Sequence, residues 1–588
     1  MMNKRMGRIG ALLCCMAMMI SAAPVRAESV DALKVLPAEA WASLTIRNVG
    51  ELDNKLMALS QRLNTPVPMS PLEMLKGMMQ LTGVNNDAGV AVVMMPMLNP
   101  GDPGSAIAIL IPCSDYAAMT ANMSVEEAVG GVSRCMLMGT EESYIAQHGD
   151  YAVLSESAAG VQAFLAAKAN PTASAAWSKH ELGRFGQDDI TLHLNLKAIL
   201  SSPMIQGFIQ MVAMQGGGSF NPEDLAAADS ATISVRIGEN GINLGFYGQA
   251  TEGSSLATLI NSVKPSSDSL LQGLPGNDYL VATGMMGSQE VFAKLSEFYG
   301  GALANPMVAM QLNADAAKMQ EVGTMVSALV ADVRDVSWAV STQPEGADGL
   351  LGITKVVTFS GDAQGKCAKM GEIITKLLGG MFTAPEAQEA VQHIAFNSGA
   401  ETLAGVSVDQ LAVALDKMQG VSEKDYEDVK ALFGPEGIVL RMAAIDDNRV
   451  AVTLGGGAKL METLAAQVKK GGAPLGSTDG IKKTGGLLPK AKTFEGYFSI
   501  DNAMKFATAA AKINNDMPPA PFPKTDIPVG VAGAPVGGVG YQVDVAVPIE
   551  LVVAVKDYAM SMQGGGPPPS GEAPSEGAAD TGSGDGEG

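Results

Sequence analysis

Charge is scarce in this chain, and positive charge is the scarcer kind. Of 588 residues only 17% are Asp, Glu, Lys or Arg, and 39 basic residues face 61 acidic ones, a net charge of −22. No Lys/Arg cluster interrupts the average. Such a surface repels phosphate backbones and anionic lipid, so nucleic acid and polybasic membrane docking are excluded as partners. The acidity reads as a solubility device. Aromatics make up 5%, with three Trp (Trp41, Trp177 and Trp338). Sugar clefts favour aromatic platforms, so this composition leans against glycoside hydrolysis, although a carboxylate pair is identified only by geometry. After residue 27 no apolar run reaches the roughly 18 residues of a membrane span, so no transmembrane segment is expected in the mature chain.

Cysteine is also sparse, five in all, and two of them (Cys14 and Cys15) lie near the N-terminus. That leaves Cys113, Cys135 and Cys367. No C-x-x-C suggests redox work or zinc. Cys113 and Cys135 are the pair closest in sequence and the candidates for one disulfide. The alternative is three buried small side chains.

The N-terminus reads as an address. Lys4, Arg5 and Arg8 form a positive region, Ile9 to Ile20 an apolar stretch, and Val25-Arg26-Ala27 a small-residue cleavage pattern. Residues 1–27 are therefore expected to be a signal peptide cleaved after Ala27, which makes the protein exported, periplasmic or extracellular. Leu13 before Cys14 does not suit lipidation. This segment holds four basic residues and no acid, so the mature chain has 35 basic against 61 acidic, or −26. At the other end, 564–588 contains Gly, Pro, Ser and Ala with five acids and no large apolar residue. It cannot offset its ordering entropy and is expected to be a disordered acidic tail.

Between these ends two local patterns recur. One is a strand running into an amphipathic helix, at 40–63, 188–212, 277–300 and 491–514. In the first, Leu52, Leu56, Leu59 and Leu63 recur at helical spacing. A Leu-Pro pair, suited to strand entry, precedes three of the four: Leu36-Pro37, Leu274-Pro275 and Leu488-Pro489. The other pattern is strand, turn, strand, helix, at 89–123, 143–169, 231–264, 335–379, 438–470 and 536–563. Its turns include Pro100-Gly101-Asp102, His148-Gly149-Asp150, Asp446-Asp447-Asn448 and Asn240-Gly241, where both residues tolerate positive φ.

The same order of five units runs through 40–265 and again through 277–563. This predicts an α+β tandem duplication: a mainly antiparallel curved sheet, used twice, covered by helices on one face. The boundaries fall at 28–265 and 266–563, with a helical insertion near 380–437. Beside that insertion a strand pair is expected to be shared by the halves: SRCMLM after Glu127-Ala128-Val129, and QHIAFN after Glu389-Ala390-Val391.

LPAEAWASLTIRNVGELDNKLMALSQRL, PLEMLKGMMQLTGV and GDYAVLSESAAGVQAFLAAK together resemble an uncharacterised group of large secreted bacterial proteins, a domain of unknown function. Members open with a signal peptide and a Leu-Pro-Ala-x-Ala-Trp strand-helix unit. The resemblance covers about the first 300 residues and implies localisation and fold; it carries no activity.

Catalytic signals are weak. No G-x-S-x-G elbow occurs, and no S-x-x-K in the mature chain. The four His are His148, in a turn, His180, His193, on a strand, and His393. No metal motif is present; Asp446-Asp447-Asn448 is explained by a turn, and Met94, Met95 and Met97 by core packing. Residues 356–367, VVTFSGDAQGKC, imitate a phosphate loop through Gly361 and Gly365-Lys366. Only three residues separate the glycines, and Cys367 replaces the required Ser or Thr. The Gly-rich 530–540 lies in a hairpin and fits no dinucleotide fingerprint. No cofactor is expected. The function expected is a non-catalytic binding or scaffolding protein of the cell envelope, with an envelope protein or an apolar ligand as partner. A carrier of an apolar ligand or lipid is the alternative. An exported hydrolase with a spatially assembled site is the second alternative.

Overall fold

The structure is a computed structural model. It describes residues 32–563 apart from 66, 68, 80, 97–105, 127, 138–140, 168–170, 204, 208–225, 343–348, 380 and 515–516. The expected signal peptide, the tail, Met97 and the Pro100-Gly101-Asp102 turn lie outside the described residues.

Among the described residues nineteen strands form one sheet. The first half supplies β1 (Ala42–Ile46), β2 (Val90–Met94), β3 (Ile107–Pro112), β4 (Ser133–Leu137), β5 (Glu141–His148), β6 (Tyr151–Ser155), β7 (Ile190–Leu194), β8 (Ala228–Gly238) and β9 (Gly241–Ala250). The second supplies β10 (Tyr279–Met286), β11 (Val333–Thr342), β12 (Leu351–Phe359), β13 (Ile394–Leu403), β14 (Val406–Val413), β15 (Val439–Ala444), β16 (Arg449–Gly455), β17 (Phe494–Phe498), β18 (Val529–Val536) and β19 (Gly540–Pro548). Every pairing is antiparallel. Outward from the β9–β19 seam, the first half runs β9, β8, β7, β1, β2, β3, β6, β5, β4. The second runs β19, β18, β17, β10, β11, β12, β16, β15, β14, and then β13. One topology is used twice, as the tandem pattern predicts. The halves share nine residue pairs, from Gly540↔Gln249 to Pro548↔Gly241. The sheet stays open, with β4 and β13 as its outer strands.

Two local expectations shift. The 380–437 insertion contains the β13–β14 hairpin as well as the helices Pro385–Gln392 and Glu423–Phe433. As a result β14, not QHIAFN in β13, takes the place beside β15 that β4 takes beside β5. The β8–β9 loop is Glu239-Asn240, and Gly241 already pairs with Gly238. Neither loop residue has positive φ.

The helices do not all lie on one face. Strands β2, β3 and β6 are apolar at successive positions, so both of their sides need cover. On one side Val90, Ile109 and Leu154 pack under Leu52 and Leu72, from the helices Val49–Arg62 and Pro71–Met79, and Met119, from Tyr116–Thr120. On the other Ala91, Val93, Leu110 and Val153 meet Val161 and Phe164, from Ala158–Ala167, and Phe185, from Lys179–Phe185. The second half repeats this. Val357 and Val450 pack with Phe292 and Cys367, while Val356 and Ala451 pack with Met461, Leu464 and Val468 of Gly457–Lys470.

Cys113 and Cys135, the candidates for a bridge or for buried thiols, are free and buried in one apolar cluster. Burial raises both thiol pKa values, that of Cys135 to about 11. Cys367 is also free and buried.

Asp53 lies fully buried on the Val49–Arg62 helix. Desolvation lifts its carboxyl pKa from 3.8 to about 6, outweighing the opposing influence of Ser70 and Leu72. The folded state therefore holds a proton that the unfolded state releases near pH 4. Stability falls as pH rises from about 4 to about 6, then levels off. Asp53→Asn should remove this slope and raise stability at pH 7 by about 1–3 kcal/mol. Urea unfolding of both proteins at pH 4.5 and 7 checks it; equal pH slopes would refute it.

Candidate functional site

In the middle of the sheet the usual polarity is inverted. On one face the strands place small polar side chains inward: Ser43 and Thr45 of β1, Thr191 and His193 of β7, Thr232 and Ser234 of β8, Asn243 of β9 and Asp544 of β19, all buried. The helix Lys179–Phe185 supplies their partners. A capping box from Ser178 to Glu181 starts this helix. Glu181 then accepts a hydrogen bond from Ser230 Oγ at 2.6 Å and lies 3.5 Å from His193 Nδ1. Arg184 Nη2 donates to Ser234 Oγ and to Asp544 Oδ1, each at 2.9 Å. Its Nε lies 3.2 Å from Asp188. Asn243 Nδ2 donates to Leu487 O at 2.7 Å. Arg184 and Asn243 thus tie the first half to the second. Arg184 is paired with Asp544 and Asp188, although its Nε and Asp188 Oδ2 form no hydrogen bond, and Glu181 is held by hydrogen bonds from Ser178 and Ser230; these contacts make the burial of the charges tolerable.

Because alternate residues point oppositely, the other face of the same strands is apolar. One row of directly opposed residues crosses it: Ile190, Val235, Leu244, Val545, Val531, Gly496, Thr283, Trp338, Lys355, Val452 and Met442. Near the seam this face is open. Ile233 is 38% exposed, Leu244 36%, Phe246 42% and Phe498 43%. Phe246 sits opposite both Ile233 and Val543. Exposed apolar side chains grouped this way mark a binding surface more often than scattered ones do.

Further along the same face, over β12, β16 and β15, lies a cavity of about 430 Å³. Strand residues Ile353, Val357, Val452, Leu454 and Met442 line its floor. Val326 and Leu329, from the helix Ala316–Ala331, and Met370, Ile373 and Ile374, from Ala363–Leu378, form its walls. Lys355 is the one charged residue of the row and also lines the cavity. Lys355 stays exposed at the cavity's open side, and desolvation by the aliphatic side chains around it lowers its ammonium pKa. Its ammonium has no hydrogen-bond or ion-pair partner among the described residues. Nearby cations differ: Lys366 pairs with Asp332, Lys369 with Glu372, Lys376 with Glu321 and Arg441 with Glu401 and Glu436.

A second exposed apolar group lies at one end of the second half. Phe298, Tyr299, Met307, Met310 and Leu312 are all exposed there, and 298–314 contains no charged residue.

The residues singled out in the sequence are not brought together into one reactive site. His148 packs edge-on against Phe164. His180 stacks on Tyr247 at 4.6 Å. His393 Nε2 lies 3.0 Å from Glu389 on its own helix turn. His193 is buried beneath Trp177, ring centroids 4.1 Å apart, and burial lowers its pKa. Its neighbours Glu181 and Ser230 are as buried as it is. Asp446 closes its own turn, accepting from the backbone N–H of Asn448 at 3.0 Å and of Arg449 at 2.9 Å. Asp362 caps the Ala363–Leu378 helix by accepting from Gly365 N–H, so the phosphate-loop mimic is a strand-to-helix connection. Met95 is buried in the core, as expected of a packing residue. Lys355 carries no motif, and its one signal in the sequence is a lone Lys within the otherwise uncharged LGITKVVTF.

No protein-family model matches the chain, and no curated protein matches it. Among solved structures the chain is similar to crystal form I of TP0453, at 12% identity over 39% of this chain and 82% of that one, with a TM-score of 0.22. Crystal form III of TP0453 gives 12% identity over 41% and 90%, with a TM-score of 0.23.

Proposed function

We propose that this is a non-catalytic binding protein of the cell envelope that holds an apolar or amphipathic ligand on its open sheet face. The observation that carries the reading is the inverted central sheet. Ser and Thr are buried and satisfied, while Ile233, Leu244 and Phe246 stand outward beside Val543 and Val545. A sheet that met only water would place these residues the other way round. The N-terminal export pattern and the resemblance to secreted bacterial proteins support the location.

Native mass spectrometry of the protein purified from its own envelope tests this. A discrete added mass of lipid size is expected, and a bare chain that also fails to bind an environment-sensitive dye would overturn it. Phe246→Ser should weaken dye binding on the order of tenfold or more, since a buried aromatic contact contributes about 1.5–3 kcal/mol. Its stability cost should stay within about 1 kcal/mol, because the ring is 42% exposed and loses only its cross-strand contacts. A second reading, a scaffold for an envelope protein, draws on the uncharged end around Phe298, Tyr299 and Met310. A protein-sized added mass in the same experiment would favour it.

A further inference from the structure

We infer that the cavity over β12, β15 and β16 binds a single-chain anionic amphiphile, a long-chain carboxylate, with Lys355 as the partner of its head group. The inference rests on the ligand-binding reading above and names the ligand class.

Three features carry it. The cavity is lined by aliphatic side chains from two layers, among them Ile353, Val452, Leu454, Leu329 and Ile374. Such walls suit an alkyl chain and offer little to a polar metabolite. Lys355 supplies a single positive charge at this lining, and no carboxylate of the described residues neutralises it. Lys366, Lys369, Lys376, Arg441 and Arg449, on the surrounding elements, each have an acidic partner, and Lys355 does not. Lys355 is itself exposed, so its ammonium stands at the open side of the cavity, where an anionic head group can meet it through a charge-assisted hydrogen bond while the chain lies along the aliphatic lining. Desolvation by those side chains lowers the Lys355 pKa.

The cavity, about 430 Å³ and open on one side, is of the size of a single small-ligand site, which suits one alkyl chain. Trp338 lies directly opposite Lys355 in the β11–β12 register, so it can report occupancy by fluorescence.

The test is titration of the full chain with dodecanoate and with dodecan-1-ol, followed by calorimetry and by Trp338 fluorescence. Dodecanoate is expected to bind at least tenfold tighter than the alcohol. Lys355→Met, which keeps the apolar stem, should bring the carboxylate down to the affinity of the alcohol, and Lys355→Arg should retain the preference. Ile374→Trp, which fills the cavity, should weaken both ligands. Unchanged dodecanoate binding by Lys355→Met would overturn the inference, as would the absence of any preference in the wild type. A short-chain phosphatidylglycerol that outcompetes dodecanoate would overturn the single-chain assignment. If Phe246→Ser weakens both ligands while Lys355→Met does not, the open-face reading stands and this inference falls. If neither ligand binds the wild type, both fall.

Discussion

Arg184→Met should cost about 3–5 kcal/mol of stability, an effect expected only where a buried ion pair loses one member. Arg184 belongs to the helix Lys179–Phe185, yet its guanidinium reaches β8 at Ser234 and β19 at Asp544, 360 residues further along the chain. It also faces Asp188. The side chains of Asp188 and Asp544 are 4% and 7% exposed. Removing the cation leaves two buried carboxylates, and Arg236, 4.0 Å from Asp188, answers only one of them. The Met side chain fills the stem's volume, so the loss reports charge and not packing. A double-mutant cycle with Asp544→Ala should return a coupling above about 1.5 kcal/mol. Additive costs would mean that the pair does not hold the seam.

The same site explains a glycine. Gly245 on β9 lies opposite both Ser234 and Asp544 in register. A Cβ placed there would collide with the Arg184 guanidinium. The missing side chain is the space the clamp occupies, so the first half's helix, its sheet and the second half's last strand meet at one point. Thermal melts of Gly245→Ala should move in the same direction as those of Arg184→Met.

Much of this architecture is readable from local pattern. The strand-helix units at 40–63, 277–300 and 491–514 appear as β1, β10 and β17, each followed by a helix. They are readable because helical and strand periodicities differ. The repeat of their order carries over into the repeat of strand order. What local pattern misses is which alternate row is covered. In ATISVRIG the apolar residues Ile233 and Val235 look like the core, and Thr232 and Ser234 like the surface. The structure reverses them, because Arg184 and Glu181 arrive from a distant helix to satisfy the hydroxyl row. Such partners are separated by tens to hundreds of residues and leave no periodic trace. The candidate site is hidden for the same reason: it lies on the row that pattern alone assigns to the interior. Lys355 alone breaks its pattern, and the P-loop mimic one residue later draws attention from it.

The second large effect is expected at Phe164. Its side chain is 1% exposed and sits in the cluster formed by Val93, Leu110, Tyr151 and Val161. Phe164→Ala removes a ring from a packed site that strands cover on one side and helices on the other, and should cost about 3–5 kcal/mol. Its further use is to ask whether the halves unfold together. Trp41 and Trp177 lie in the first half, and Trp338 lies in the second. Trp338 makes no contact with the Phe164 cluster. The sheet, however, is continuous through nine residue pairs between β9 and β19, and the Arg184 clamp joins the halves on its polar face. Breaking that seam exposes the buried carboxylates and the hydroxyl row, so a state with one half unfolded is costly. Single-Trp variants should therefore show the midpoint at Trp338 shifting together with that at Trp177 when Phe164 is truncated. A midpoint at Trp338 that stays in place while Trp177 shifts would mean two independent units joined only by strand contact. In that case the two halves of the wild type should already unfold at separate midpoints, and Arg184→Met should leave their number unchanged.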